Sequence, residues 1–276
     1  MRAAVALLGV ACAVVLAFAG GGAWAQGATV PDTIEQRMLA CTACHGKEGE
    51  GLRRNEYFPR LAGKPAGYLY NQLVNYRDRR REFPIMNYLV AYLSDAYMLE
   101  IAEYFARLTP PYPAPTTRAS PAVLARGQQL VHDGDPARKL PACAACHGKA
   151  LTGMQPAIPG LVGLYGDYIA AQMGAWRNGT RQSIDSDCMR DVAKLLTPDD
   201  IGAVSAWLAA QPVSGDMRPL AAGSLKLPLP CGGLVIDEAK KKDEAKQKGE
   251  AQKKDEAQKP EAQKPEAKPK DEAKKK

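Results

Sequence analysis

Two short segments combine two cysteines and a histidine at a spacing that suits a metal-containing cofactor. Residues 41–45 are CTACH and residues 143–147 are CAACH, so both follow the pattern C-x-x-C-H. In this pattern the two thiols attach a c-type haem, and the adjacent histidine supplies an axial iron ligand. The sequence therefore predicts two covalent haem c groups, one held by Cys41, Cys44 and the ligand His45, the other by Cys143, Cys146 and the ligand His147.

Two other uses of paired cysteines fit the sequence less well. A zinc site would need further cysteines or histidines at short spacing, and neither motif has them. A redox-active pair of the thioredoxin type would need neighbouring strands, and no window of the chain alternates as a strand.

The sequence around the motifs is duplicated. The two motifs are offset by 102 residues, and seven residues between them recur 100 residues later: Pro59, Leu61, Gly63, Tyr68, Gln72, Arg77 and Arg81. Self-similarity of this extent indicates a tandem repeat. We call the two parts the first copy and the second copy.

The second axial ligand of each haem needs a donor far along the chain. Met86 lies 41 residues after His45, and Met189 lies 42 residues after His147. A single methionine is usually a filler of the hydrophobic core. These two occupy equivalent positions, each ahead of a predicted helix, so we predict that Met86 and Met189 are the thioether ligands.

The elements that must position these groups are predicted to be helices. Apolar residues recur with helical spacing in 33–39, 66–77, 121–131 and 167–177. Ser94 and Thr197 are capping residues at the start of helices that extend to about Leu108 and Ala210. Between the copies, the segment TPPYPAP is too rich in proline for either helix or strand and predicts an extended spacer.

On these residues the chain resembles class I cytochrome c, and its duplication resembles the two-haem cytochrome c4 family. The similar motifs are C-x-x-C-H-G, Pro-x-Leu-Ala-Gly, Tyr-Leu-x-x-Gln-Leu, Arg-x-x-Pro-x-Met and Leu-Ser-Asp, within about 32–212. The resemblance implies an all-α fold of two tandem class I cytochrome c domains, each wrapped around a covalent haem.

The resemblance also implies roles for residues around each haem. The carbonyls of Pro59 and Pro159 would accept the hydrogen bond of the ligating histidine, which fixes the ring. Four arginines are candidates to pair with the haem propionates, with solvated helix faces as the alternative. They are Arg77, Arg81, Arg177 and Arg181.

The ends of the chain differ in character from the repeats. Arg2, an apolar run at 3–19 and the triplet Ala23-Trp24-Ala25 predict a signal peptide cleaved after Ala25, with an uncleaved membrane anchor as the alternative. Cleavage would place the mature protein in the periplasm. Residues 237–276 consist of Lys, Glu, Asp, Ala, Gln, Pro and one Gly, which predicts a disordered tail, with weak binding to a membrane surface or partner as the alternative role.

Net charge excludes one class of function. The formal charge is +7, but the tail alone contributes +3 and residues 26–236 carry only +3. This near balance gives no basis for binding nucleic acid. We divide the chain into a signal peptide at 1–25, a first domain at 26–109, a Pro-rich linker at 110–121, a second domain at 122–212, an extended segment at 213–236 and the tail at 237–276.

Two cysteines remain after signal removal and haem attachment, Cys188 and Cys231. In an oxidising compartment they predict a disulfide that fastens the extended segment over the methionine side of the second haem. Two alternatives stay open: a pair of free thiols, or Cys188 as an iron ligand beside Met189.

The predicted function is that of a periplasmic dihaem cytochrome. Iron held by histidine and methionine has no open position for substrate and exchanges single electrons. We therefore expect an electron carrier between respiratory-chain donors, such as quinol–cytochrome c reductase, and a terminal oxidase. The alternatives are a haem subunit that accepts electrons from a periplasmic dehydrogenase, and a dihaem enzyme of the peroxidase or thiosulfate dehydrogenase type.

Overall fold

The computed structural model describes residues 30–52 and 57–234. The predicted signal peptide at 1–25 and the predicted tail at 237–276 lie outside these ranges. The described part is mainly helical, and none of its helices is both long and apolar enough to cross a membrane.

Within its described residues, the first copy contains four helices. They are α1 (Ile34–His45), α2 (Ala66–Arg77), α3 (Pro84–Val90) and α4 (Asp95–Ala106). The side chains of Thr33 and Ser94 accept hydrogen bonds from backbone N–H groups in the first turns of α1 and α4, as capping residues do. The sequence did not predict α3, because seven residues are too few to show a helical period.

The second copy repeats this arrangement with additions. Its helices are α5 (Pro121–His132), α6 (Cys143–His147), α7 (Gly166–Asn178), α8 (Cys188–Leu195) and α9 (Pro198–Ala209). Thr197 and Asp200 form a reciprocal capping box at the start of α9. Strands β1 (Gly153–Met154) and β2 (Ile158–Pro159) pair antiparallel. The sequence predicts no strand, and two residues are too short to alternate visibly.

Each copy has its own hydrophobic core. In the first, α2 and α4 enclose the fully buried Met98 and Phe105. In the second, α5 packs against α9 at Gly127, where an added Cβ would lie 2.2 Å from the carbonyl oxygen of Ala203. Only glycine permits so close a helix crossing. Burying large apolar side chains contributes about 1.5–3 kcal/mol each, so both copies have a source of stability in their own core.

The linker contacts both copies. The guanidinium of Arg60 donates to the carbonyls of Pro110 and Pro111 at 2.6 and 3.0 Å and lies 3.8 Å from the ring centre of Tyr112. At the other end, the N–H of Thr116 donates to the carbonyl of Ala209 at 3.0 Å. The predicted spacer is therefore extended but fastened at both ends.

The two copies also pair directly. Arg81 and Arg181 form an isolated antiparallel bridge, flanked by backbone hydrogen bonds from Glu82 to Thr180 and from Gln182 to Arg80. These are equivalent positions of the repeat, so the contact relates the two copies by approximate two-fold symmetry. Residues that should surround the two haems are thereby brought to a common boundary.

Candidate functional site

Both C-x-x-C-H motifs end a helix. His45 is the last residue of α1 and His147 the last of α6. The first and second cysteines of each motif are three residues apart in the helix, so they lie on one face. The histidine then ends the helix, and Gly46 and Gly148 follow at φ 86° and 81°, a conformation that favours glycine.

Both histidine rings are held at one nitrogen. The Nδ1 of His45 lies 2.9 Å from the carbonyl oxygen of Pro59, and the Nδ1 of His147 lies 2.7 Å from that of Pro159. These are the contacts that the family resemblance implies. A ring that donates from Nδ1 has its Nε2 free to bind a metal.

Burial keeps both imidazoles neutral. His45 and His147 are 7% and 6% exposed. Burial lowers the pKa of His147 to about 4, although the hydrogen bond to Pro159 opposes the shift and the charge of Lys64 adds to it. Burial also lowers the pKa of His45. An imidazole must be neutral to act as an iron ligand, so both rings are ready to bind near pH 7.

A cavity of about 380 Å³ extends across the boundary between the copies. Its volume lies in the range of organic-ligand sites. The predicted ligands of both copies line it, and most of the remaining wall is apolar. The predicted haem-site residues in this wall are Cys41, Cys44, His45, Pro59, Arg81, Met86, Cys146, His147, Pro159, Arg181 and Met189.

The predicted methionine ligands are far from the motifs in sequence, but they line the same cavity. Met86 belongs to α3 and Met189 to α8, and both side chains are partly exposed. The structure therefore places them within short helices, whereas the sequence placed them only ahead of the last helix of each copy.

The indole of Trp176 tests whether a haem fits here. Its Nε1 is buried without a hydrogen-bond partner in the described part of the chain, and Trp176 lines the cavity. A buried donor normally has an acceptor, so the unpartnered N–H indicates a bound group that brings one. A largely apolar macrocycle with carboxylate substituents satisfies both the apolar wall and this donor.

The four arginines separate into two classes. Arg77 pairs with Asp95 and Asp78, and Arg177 donates to the carbonyl of Leu196. Neither lines the cavity, so the prediction that these two face a propionate is not supported. They fasten the start of the last helix in each copy instead, because their side chains extend from α2 and α7 toward α4 and α9.

Arg81 and Arg181 line the cavity and are 7% and 3% exposed. Arg81 donates to Gln72 at 2.9 Å and Gln172 at 2.7 Å, and Arg181 donates to the same two amides at 3.0 and 2.8 Å. These contacts cross between the copies. The two buried guanidiniums form no ion pair with a described carboxylate, which leaves them suited to an anionic substituent of a bound group.

Cys188 and Cys231 are joined by a disulfide with an S–S distance of 2.15 Å. Around it, the N–H of Gly232 donates to the carbonyl of Ser186, and the segment from 213 onward crosses β1, where Leu220 and Gly153 pair. The segment is thus fastened beside Met189 through Cys188. The Cys188 sulfur is engaged in the disulfide and does not offer a thiolate to iron.

No family profile matches the chain, but individual proteins do. The "Thiosulfate dehydrogenase electron acceptor" of Thiomonas intermedia is 37% identical over 211 residues, which span 75% of this chain and 92% of that protein. Cytochrome c4 of Pseudomonas aeruginosa is 34% identical over 63% of this chain and 85% of its own length. Reduced cytochrome c4 from Pseudomonas stutzeri superposes with a TM-score of 0.56 at 29% identity, covering 64% of this chain and 95% of that one.

The chain belongs to the dihaem cytochrome c4 family. Like its cytochrome c4 relatives it carries two covalently bound haem c groups, and it is an electron carrier. Its all-α fold of two tandem cytochrome c domains is that of the cytochrome c4 structures.

Three residues of this cytochrome were missed in the sequence. Trp176 occupies the position equivalent to Tyr76, and nothing in the sequence indicates an unpartnered donor there. Arg60 and Lys64 are buried cations, each 6% exposed. The sequence distinguishes these two residues by a difference between the copies: the equivalent positions in the second copy are Gly160 and Leu164.

Proposed function

We propose that this cytochrome accepts electrons from a thiosulfate dehydrogenase in the periplasm and passes them singly to a terminal oxidase. The observation that carries the proposal is the 37% identity to a thiosulfate dehydrogenase electron acceptor along 92% of that protein's length. A match of this extent spans nearly the whole electron acceptor and is not limited to the haem-attachment motifs.

We further propose the ligand set of each haem. The first would be attached through Cys41 and Cys44 with His45 and Met86 as ligands, and the second through Cys143 and Cys146 with His147 and Met189. The anchored, neutral imidazoles and the shared cavity wall support this assignment. Iron ligated by imidazole and thioether supplies one-electron chemistry at a raised potential. The chain's own contribution is to bury and orient the two groups.

An exposed apolar surface beside Met86 fits the docking of the dehydrogenase. It consists of four side chains on and after α3: Ile85, Tyr88, Leu89 and Tyr92, which are 53%, 76%, 47% and 97% exposed. Aromatic residues are enriched in protein interfaces. In the second copy the charged Asp191 stands at the position equivalent to Tyr88, and the disulfide fastens the following segment beside Met189. The first haem is therefore our proposed entry point for electrons.

Two other functions are alternatives to the proposed one. Transfer from quinol–cytochrome c reductase to a terminal oxidase is favoured by the 34% identity to cytochrome c4. Catalysis of thiosulfate oxidation through a cysteine-ligated haem is disfavoured, because the Cys188 sulfur forms a disulfide.

Stopped-flow reduction tests the proposal. The oxidised cytochrome is mixed with a thiosulfate dehydrogenase and thiosulfate, and haem reduction is followed by absorbance. We expect fast reduction that needs both enzyme and thiosulfate. Reduction no faster than with thiosulfate alone would overturn the proposal, and fast reduction only by quinol–cytochrome c reductase would establish the respiratory alternative.

Substitutions in the docking surface test its role separately. Replacing Tyr88 and Tyr92 by Ser should lower the second-order rate about tenfold or more, as loss of central interface aromatics does. Val123→Ser is the matched control, since Val123 is 38% exposed on α5, away from this surface. Equal rates for all three proteins would place docking elsewhere.

We also propose export with cleavage after Ala25 and the domain boundaries given above. Separate hydrophobic cores in the two copies support the division. N-terminal sequencing of protein from a periplasmic fraction should begin at Gln26. Retention of residues 1–25 in the membrane fraction would show an anchor instead.

A further inference from the structure

The two copies differ in buried positive charge at their common boundary. Arg60 and Lys64 of the first copy correspond to Gly160 and Leu164 of the second. Since Leu164 fills the position equivalent to Lys64, haem attachment as such does not require a cation there. The difference therefore calls for a reason specific to one copy.

The charge of Arg60 is accounted for by the linker. Its guanidinium donates to the carbonyls of Ala62, Pro110 and Pro111. Lys64 has a different target, because its Nζ crosses to the second copy and donates to the carbonyl of Gly160 at 2.6 Å.

The target of Lys64 adjoins the anchor of the second histidine. Gly160 directly follows Pro159, whose carbonyl oxygen lies 2.7 Å from His147 Nδ1. The ammonium thus holds the backbone that orients His147. Within the described ranges no carboxylate forms an ion pair with Lys64.

The effect of this charge is directed at one copy. Lys64 is 6% exposed, lines the cavity together with His147, and has its hydrogen-bond acceptor, Gly160, in the second copy. Charges separated by buried protein interact much more strongly than charges in water, so Lys64 acts on the second site with little screening.

We propose that the buried charge of Lys64 of the first copy raises the reduction potential of the second haem. Oxidation of haem iron adds a positive charge, and a buried ammonium nearby disfavours the oxidised form. An electron that enters at the first haem then resides preferentially on the second haem. This inference rests on the assignment of His147 as the ligand of the second haem.

Redox titration of two variants of the full mature protein tests the proposal. Lys64→Gln removes the charge and keeps an amide donor, and Lys64→Met keeps the length and removes both. The titration is run at pH 6, because burial lowers the pKa of Lys64 to about 7 and the ammonium is then charged. The haem methyl NMR signals of the oxidised protein report each haem separately, and contacts with the indole protons of Trp176 identify the second.

We expect both variants to lower the potential of the second haem more than that of the first. The expected shift is threefold or more in the equilibrium constant for electron exchange between the haems, about 28 mV at 59 mV per factor of ten. The control is Lys149→Gln, which removes an exposed charge two residues after His147 and should shift this constant by less. An unchanged potential in both Lys64 variants would overturn the proposal.

Two readouts keep the outcomes distinct. A shift in Lys64→Met alone would show that the hydrogen bond to Gly160, and not the charge, carries the effect, which also overturns the proposal as stated. The haem count and the low-spin optical spectrum of the same samples test the His147 assignment independently. Leu164 shows that an apolar residue is accommodated at this position, so we expect Lys64→Met to fold.

Discussion

At the scale of single residues, the site depends on ionisable groups that are buried within the fold. His147 lies in surroundings that lower its pKa to about 4, so it is available as a ligand across the physiological range. Lys64 stays buried because a backbone carbonyl accepts its hydrogen bond. A buried ionisable group destabilises the fold unless hydrogen-bond partners compensate for its burial. Such groups are therefore concentrated at functional sites.

The methionine ligands can be tested one at a time. Met86→Ala or Met189→Ala should open one iron, raise the high-spin fraction of that haem and lower its potential, because the thioether is lost. Optical and EPR redox titration measures both effects.

Two other methionines serve as controls for this experiment. Met98 and Met154 are 0% and 4% exposed and do not line the cavity, so Met98→Leu and Met154→Leu should leave both haems low-spin. A second haem unchanged by Met189→Ala would show that the assignment at that position is wrong.

At the scale of elements, the start of α9 is fixed by a charged cluster. Asp200 accepts from Arg126 at 2.8 Å and Arg138 at 2.7 Å, and its side chain is 6% exposed. Burial alone would raise the pKa of Asp200, but hydrogen bonds from Arg138, the Thr197 backbone and Arg126 outweigh it and hold the pKa well below its usual range. The cluster links α5, the turn at 136–138 and α9.

Asp200→Asn should lower the free energy of unfolding of the second copy by about 2 kcal/mol at pH 7, because charged hydrogen bonds are lost in a buried place. A carboxyl with a lowered folded pKa stabilises above its unfolded pKa of about 3.9, and this contribution is lost as the pH falls below that value. The difference between the two proteins should therefore shrink below pH 4.

Denaturation followed by Trp fluorescence measures this, since Trp176 and Trp207 both belong to the second copy. Asp216→Asn is the control, because Asp216 pairs with Arg218 on the surface, with side chains 59% and 86% exposed. Exposed pairs contribute little. An Asp200→Asn variant as stable as the wild type at pH 7 would show that the cluster does not fix α9.

The disulfide joins α8 to the segment that follows α9. Its cysteines are 43 residues apart in sequence. Closing a loop of this length contributes about 4 kcal/mol in the chain-entropy model. Cys188→Ser and Cys231→Ser should therefore lower the stability of the second copy equally, and a reductant should bring the wild type to the same value.

Peptide mapping without reduction detects the bridge directly. We expect one peptide pair linked through Cys188 and Cys231 in protein exported to the periplasm. Two thiols that can be alkylated in the native protein would contradict the bridge and reopen the question of a cysteine ligand.

At the scale of the whole molecule, the repeat places equivalent residues on both sides of the boundary between the copies. The boundary also contains residues that only the first copy has. Arg81, Arg181 and the two glutamines they contact repeat across it, while Arg60 and Lys64 occur on one side only. The exposed apolar surface is on the first copy, and the disulfide-linked segment is fastened to the second. On our proposals, these differences assign electron entry to the first haem and electron retention to the second.

Deletion of residues 237–276 should leave both haem spectra and the unfolding free energy unchanged, because this composition has almost no apolar surface to bury. The contrasting truncation after residue 212 removes the disulfide-linked segment and should destabilise the second copy. Spectra and denaturation curves of the two truncated proteins measure this. A marked loss of stability in the first truncation would show that the tail packs on the folded part.

The sequence alone was sufficient for the residues with fixed spacing. The C-x-x-C-H motifs, the repeated Met86 and Met189 and the helices α2, α4, α7 and α9 follow from local patterns, since helix periods and caps are properties of neighbouring residues. The pairing of Cys188 with Cys231 followed from counting cysteines in an oxidising compartment. Family membership also followed, because the repeated motifs are specific.

The tertiary structure decided what the buried arginines and lysine contact. Arg77 and Arg81 are four residues apart, yet one binds a helix terminus and the other crosses to the second copy. Lys64 meets the carbonyl of Gly160, 96 residues away. Such contacts depend on how the two copies pack against each other. No local pattern encodes that packing, because it results from the contacts of Gln72 and Gln172 with the two arginines, from the linker and from the bridge between Arg81 and Arg181.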